Sequence, residues 1–188
     1  SAKIIQQGIE LHDQGKYKEA IQQYRQIPRS DSNYVWALYE MSMSLSADSQ
    51  YSEALRVCRE GILSDAERER LPDLYNQYAN LVDDLGDPQR ALLIYDTALS
   101  RYPAYSSLYI NKGATLLRLE RYADAEKVFK QGLLIDPYAA SCHYLLGLAA
   151  INQGKIVPAF INFISYLMIS PEGRYSGKSI NLLSTIAK

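Results

Sequence analysis

The side chains best equipped for chemistry in this sequence are few and scattered. His12 and His143 are the only histidines, and Cys58 and Cys142 the only cysteines. A side-chain nucleophile needs a base within hydrogen-bond reach, and a zinc site needs closely spaced ligand pairs. The chain has no Cys-x-x-Cys, no His-Glu-x-x-His, no glycine-rich phosphate loop and no Gly-x-Ser-x-Gly elbow. Asp83 and Asp84 are adjacent carboxylates, but neighbours on a helix point different ways, so they form no natural acid–base dyad. We therefore expect no catalytic residue, no metal and no cofactor. Bridged cysteines need Cα atoms within about 7 Å, so Cys58 and Cys142, far apart in the repeat order, are expected as two reduced thiols. What remains is recognition chemistry. Asn76 and Asn80 are four apart and share one helix face. Each amide offers both donors and an acceptor, the equipment for bracketing a peptide backbone.

The elements that position these residues are set by one short pattern, used five times. It begins at Gly15, Ser49, Gly86, Glu120 and Gly154 and closes on Ala20, Ala54, Ala91, Ala125 and Ala159. The alanines are spaced 34, 37, 34 and 34 residues apart. Four residues after each comes Tyr24, Cys58, Tyr95, Phe129 or Phe163, and twelve after the last three comes Pro103, Pro137 or Pro171. Twelve before them stand Gly8, Ser42, Ala79, Gly113 and Gly147, small enough to let two helices approach closely. Repetition at this period means stacked supersecondary units, each burying its apolar face only against its neighbours.

The spacing predicts a first helix over residues 2 to 14 and a partner over 17 to 27, ended by Pro28. Pro88 and Pro158 fit the first turn of a helix, where the missing N–H has no intrahelical partner. The three-residue excess between the second and third units falls between Ser64 and Pro72, with a charge run from Asp65 to Arg70. The second small position, seven after the alanine, holds Ile27 in the first unit and Tyr166 in the last, which predicts looser packing at both ends. After Pro171 a last helix, with Ser176 as a candidate cap and Ile180, Leu183, Ile186 and Ala187 on its apolar side, is expected to close the stack.

These residues resemble the tetratricopeptide repeat family, whose unit is two antiparallel helices. The best local match is Leu146-Gly147 followed by Ala159, Phe163 and Pro171. The resemblance covers roughly residues 2 to 173. It implies an all-α fold: a right-handed α-solenoid of five helix pairs with a C-terminal capping helix. The expected organisation is a single domain over 1–188, with units at about 1–34, 35–71, 72–105, 106–139 and 140–173 and the capping helix at about 176–187.

In the resembled family the first helix of each unit lines a concave groove that holds a partner segment. Carried over by position, the peptide-binding set is Ile5, Ile9, Trp36, Tyr39, Met43, Asn76, Asn80, Ile110, Asn111, Leu117, Tyr144 and Leu148. Apolar and aromatic anchors would take side chains, and the asparagines would take the backbone. One family variant clamps a C-terminal carboxylate with cations and two asparagines. Asn80 and Asn111 fall at its asparagine places, but Asn76, Ser141 and Leu145 stand where it has basic residues. Without cations the charge-assisted bonds are missing, so no such clamp is expected. Asp13, Asp73, Asp83 and Asp84 outnumber Arg118 along the groove positions, which favours a neutral or basic peptide over an acidic one.

The resemblance thus implies a non-enzymatic protein–protein interaction scaffold or adaptor. The alternatives are a structural subunit or homo-oligomer using the groove for assembly, and the regulatory repeat domain of a larger enzyme or secretion component. Net charge is −1, which argues against a nucleic-acid partner. No apolar run reaches the length of a membrane span, so no membrane insertion is expected. The reading favours a soluble, cytoplasmic chain. The periplasm stays open, since a sequence beginning at Ser1 fits a processed fragment.

Overall fold

The computed structural model describes residues 1–64 and 71–186. The charge run Asp65 to Arg70 and the expected ends of the last helix, Ala187 and Lys188, lie outside the described residues. Among the described residues there are eleven helices and no strand. They are α1 (Ala2–Asp13), α2 (Tyr17–Tyr24), α3 (Tyr34–Ala47), α4 (Tyr51–Leu63), α5 (Leu71–Asp84), α6 (Pro88–Arg101), α7 (Ser106–Arg118), α8 (Tyr122–Ile135), α9 (Ala140–Ile151), α10 (Ile156–Ile169) and α11 (Ser176–Ile186). The contacts fall into two compact units, Ser1–Ile94 and Tyr95–Lys188.

One turn, built five times, makes the helix pairs. The first residue of the repeated pattern has a positive φ in every unit: Gly15 at 76°, Ser49 at 60°, Gly86 at 91°, Glu120 at 58° and Gly154 at 70°. At the first turn the Gly15 N–H donates to His12 O at 2.8 Å and the Lys16 N–H to Leu11 O at 2.9 Å. This pair of bonds is the Schellman exit from a helix, which satisfies otherwise orphaned carbonyls. The same two bonds recur at Ser49 and Gln50, Gly86 and Asp87, Glu120 and Arg121, and Gly154 and Lys155. Three of the five positions use glycine, which takes this conformation without a Cβ clash. Ser49 and Glu120 adopt it with a side chain.

The alanine that closes each pattern is fully buried in all five units, and the residue four later is buried in all five. The small residue of the preceding helix makes room for it. A first side-chain carbon at position 147 would stand 2.6 Å from Phe163 Cε1, closer than any real contact allows. Gly8 faces Tyr24, and Gly113 faces Phe129, in the same way.

In the first unit α1, α3 and α5 pack side by side, with α2 against α3 and α4 against α5. Ile5, Val35, Leu45, Val57, Cys58 and Leu74 are wholly enclosed there. In the second unit α7 packs on α8 and α9, and α9 on α8 and α10, while α10 takes α11.

Four expectations are corrected. α2 stops at Tyr24, not Ile27, because the last turn tightens: Gln26 and Ile27 donate to the carbonyls three residues back. Pro28 disfavours continued α-helix at the residue before it. The packing at Ile27 and Tyr166 is not loose, since both are buried. The Tyr166 hydroxyl accepts the Tyr175 N–H at 2.8 Å and so anchors the connection to α11. Finally, the inward side of α11 keeps Leu183 and Ile186 as expected but not Ile180. Leu182, Leu183 and Ile186 pack on the α9–α10 core, but Ile180 is exposed and Ser179 is fully buried with its hydroxyl unpaired. Ser176 is the first residue of α11 and donates its hydroxyl to Ser170 O at 3.0 Å instead of capping the helix.

Pro88 opens α6, and Pro158 lies in the first turn of α10, both where a missing N–H costs little.

Candidate functional site

The groove positions of the first unit come from α1, α3 and α5. Trp36, Tyr39 and Met43 are spaced three and four apart, on one face of α3. All three are half-buried, as are Ile9 on α1 and Asn76 and Asn80 on α5. Each shows part of its surface and uses the rest for packing. Ile9, Trp36 and Tyr39 also touch the core cluster. Ile5 is different: it is wholly enclosed and serves as a core residue.

Polar bonds fix these helices against one another. His12 Nδ1 lies 2.8 Å from Ser44 Oγ, joining α1 to α3, and its ring meets Tyr17 edge-on at 5.2 Å. Gln77 Nε2 donates to Ser46 Oγ at 3.1 Å, joining α5 to α3, and that hydroxyl donates to Ser42 O at 2.7 Å. The Trp36 indole N–H donates to Glu40 Oε1 at 2.9 Å, which holds the ring along its own helix. An aromatic side chain held this way is a low-entropy anchor, since little rotamer freedom is left to lose on binding.

In the second unit Ile110, Asn111 and Leu117 are half-buried on α7, and Leu148 is half-buried on α9 against the core. Tyr144 is buried. Tyr175, from the α10–α11 connection, stacks flat on it with centroids 4.2 Å apart and planes 3° apart, while Phe163 and Tyr166 pack at its edges. Tyr144 is therefore the centre of an aromatic cluster that closes the last unit. Nothing in the repeat spacing signals Tyr175, which lies outside the repeated pattern.

The cysteines and histidines are engaged in packing and hydrogen bonds. Both cysteines are free and buried. Burial pushes each thiol up to about 12, so the nucleophilic thiolate is scarce near neutral pH. The Cys142 thiol donates to Phe129 O at 3.4 Å. His143 is held by Pro137 O at 2.9 Å and Asn162 Oδ1 at 3.3 Å. Among the described residues no three His, Cys, Asp or Glu side chains are grouped to hold a metal ion.

The first unit also carries a basic surface that the sequence reading missed. Arg29, Arg56, Arg59 and Arg90 line an open cavity of about 460 Å³ together with Glu60 and Tyr78. Its carboxylate Glu60, and Glu53 next to Arg56, are engaged. Glu60 accepts from the Tyr34 hydroxyl at 2.6 Å and from Arg29 and Arg56, and Glu53 accepts two bonds from Arg56. The Tyr34 hydroxyl, with Arg29, holds Glu60 below the usual carboxylate range, and Arg56 does the same for Glu53. This is an ion-pair network that ties α4 to the α2–α3 loop.

Taken together, the fold defines a helical-repeat protein whose first helices present half-exposed aromatics and amides. Residues 84–157 match the family model for the tetratricopeptide repeat, so that stretch of the chain carries the repeat. Solved structures extend the fold to the whole chain. It is similar to TTC0263, a thermophilic repeat protein of this kind from Thermus thermophilus, at 18% identity and a TM-score of 0.73, covering 99% of this chain and 96% of that one. It is also similar to YrrB, described as having an unusual peptide-binding site, at 17% identity and a TM-score of 0.64, covering 95% and 90%. The second such domain of human RPAP3, solved with the HSP70 peptide SGPTIEEVD, matches at 24% identity and a TM-score of 0.56, covering 61% and 92%. Among the described residues no helix is long and apolar enough to cross a membrane.

Proposed function

We propose that this chain is a non-enzymatic scaffold that binds an extended, neutral or basic peptide segment on the exposed face of its first helices. The observation that carries the proposal is the pairing of anchors and amides in the first unit. Trp36, Tyr39 and Met43 occupy one face of α3, and Asn76 and Asn80 sit one turn apart on the adjoining α5. Ile9 on α1 extends this set, and Ile110, Asn111, Leu117 and Leu148 supply its counterpart in the second unit. Ile5 and Tyr144 act behind it as packing residues. YrrB, described as having an unusual peptide-binding site, and the RPAP3 domain, solved with a peptide, support this reading.

Three of the last four residues of the RPAP3 peptide are acidic. This chain has Asn76, Ser141 and Leu145 where a carboxylate clamp would need cations, so its ligand differs in charge. A displayed peptide library selected on the protein tests the reading. The enriched sequences should be neutral or basic with spaced apolar residues. Tyr39→Ala and Asn80→Ala should each weaken their binding about tenfold, roughly 1.4 kcal/mol, with helical content unchanged. Enrichment of acidic tails, or equal binding by both variants, would sink it.

A further inference from the structure

The internal repeats act as controls for one another, and one surface row breaks with the rest. Four places on each second helix face outward: two residues before the repeat alanine, then two, five and nine after it. In α4 they hold Ser52, Arg56, Arg59 and Leu63, and in α8 Ala123, Lys127, Lys130 and Leu134, all exposed. The place five after the alanine is charged in each of the first four units: Arg25, Arg59, Asp96 and Lys130. In the last unit it is Ile164, and the whole row becomes Val157, Ile161, Ile164 and Met168. These four are 68%, 57%, 37% and 80% exposed. Ile156 and Phe160 stand exposed beside them, and α10 has no charged residue along its length.

From this we propose that α10 is a self-association surface, on which the α10 row of a second copy of this chain packs antiparallel. The row recurs at four, three and four residues, the spacing of a two-helix seam. Together with Ile156 and Phe160 its exposed apolar area is on the order of 600 Å², at the upper end of the largest patch on a typical monomer. Fully covered, the two copies' patches would bury about 1,200 Å², just above the roughly 1,000 Å² at which a specific interface becomes expected. A two-fold contact sets the same patch against itself. A charge-free row meets that condition, whereas the Arg and Lys rows of α4 and α8 would repel their own copies. An anionic membrane surface fits less well, because interfacial helices carry Lys or Arg on their polar side and α10 has neither. Another repeat continuing the chain would leave the row open: α4 and α8 are each followed by a further helix pair, and the same places stay exposed.

The interface is separate from the proposed peptide-binding face, which lies on the first helices. Sedimentation equilibrium from about 1 to about 200 µM tests it, since an interface of this size supports a dissociation constant on the order of 10 µM. The wild-type mass should rise from one chain to two across the series. Ile161→Lys and, independently, Ile164→Arg should remain at one chain throughout, with wild-type far-UV circular dichroism. Lysine already occupies the matching exposed places in α8, so both variants should fold. Lys127→Ser on α8 should dimerise like wild type. A wild-type chain that stays at one mass over the whole range overturns the proposal, and so does a dimer that persists in both folded α10 variants.

Discussion

At position 147 the fold has room for a hydrogen atom and nothing more. Phe163 fills the space opposite, and its ring is fully buried, so it cannot swing into water to make way. Gly147→Ala should therefore destabilise the protein by about 1–3 kcal/mol through overpacking, although alanine is the better helix former. The midpoint of urea unfolding, at unchanged slope, measures this. Gly113 and Gly8 face the equivalent rings and belong to the same class.

The helix exits are where elements are joined, and two of the five are strained. Glu120 holds φ at 58° and is exposed, so its side chain offers little to offset the left-handed backbone. Glu120→Gly should raise stability by about 0.5–1 kcal/mol, the Cβ clash relieved less the entropy glycine costs. A lower or unchanged denaturant midpoint would show that no strain is stored there. The junction of α8, α9 and the turn after α9 depends on charge instead. Glu126 accepts from Lys130 and Lys155, each at 2.6 Å, and from Gln153 at 2.9 Å. Hydrogen bonds from Lys130, then Lys155, lower its carboxyl to about 2 from an ordinary 4.5. A depressed carboxylate contributes stability that is complete above its unfolded value and lost as it protonates. The wild-type protein should therefore lose stability as pH falls from about 4.5 toward 2 more steeply than Glu126→Gln, and thermal melts of the two across that window compare them.

At the scale of the molecule, what could be read from the sequence is what repeats. Ala20 to Ala159 and Tyr24 to Phe163 announce burial because the same local packing returns every 34 to 37 residues. The helix pairs, their small-residue contacts and their turns follow from that. Features that depend on a segment outside the period were hidden. Tyr144 reads as a groove residue until Tyr175 arrives from the α10–α11 connection to cover it. In α11 hydrophobicity favours Ile180, yet Ile180 is exposed and Ser179 turns inward. The apolar row of α10 escaped notice because outward positions carry no packing signature. It shows only when the burial of five equivalent helices is compared.

In the proposed function the first helices, not the second, carry the ligand face. Hydrogen–deuterium exchange with and without a selected neutral or basic peptide tests this most directly. Added protection should concentrate in α3 and α5, around Trp36 to Met43 and Asn76 to Asn80, with α4 unchanged. Protection confined to α4 or α10, or none at a saturating peptide concentration, would contradict it.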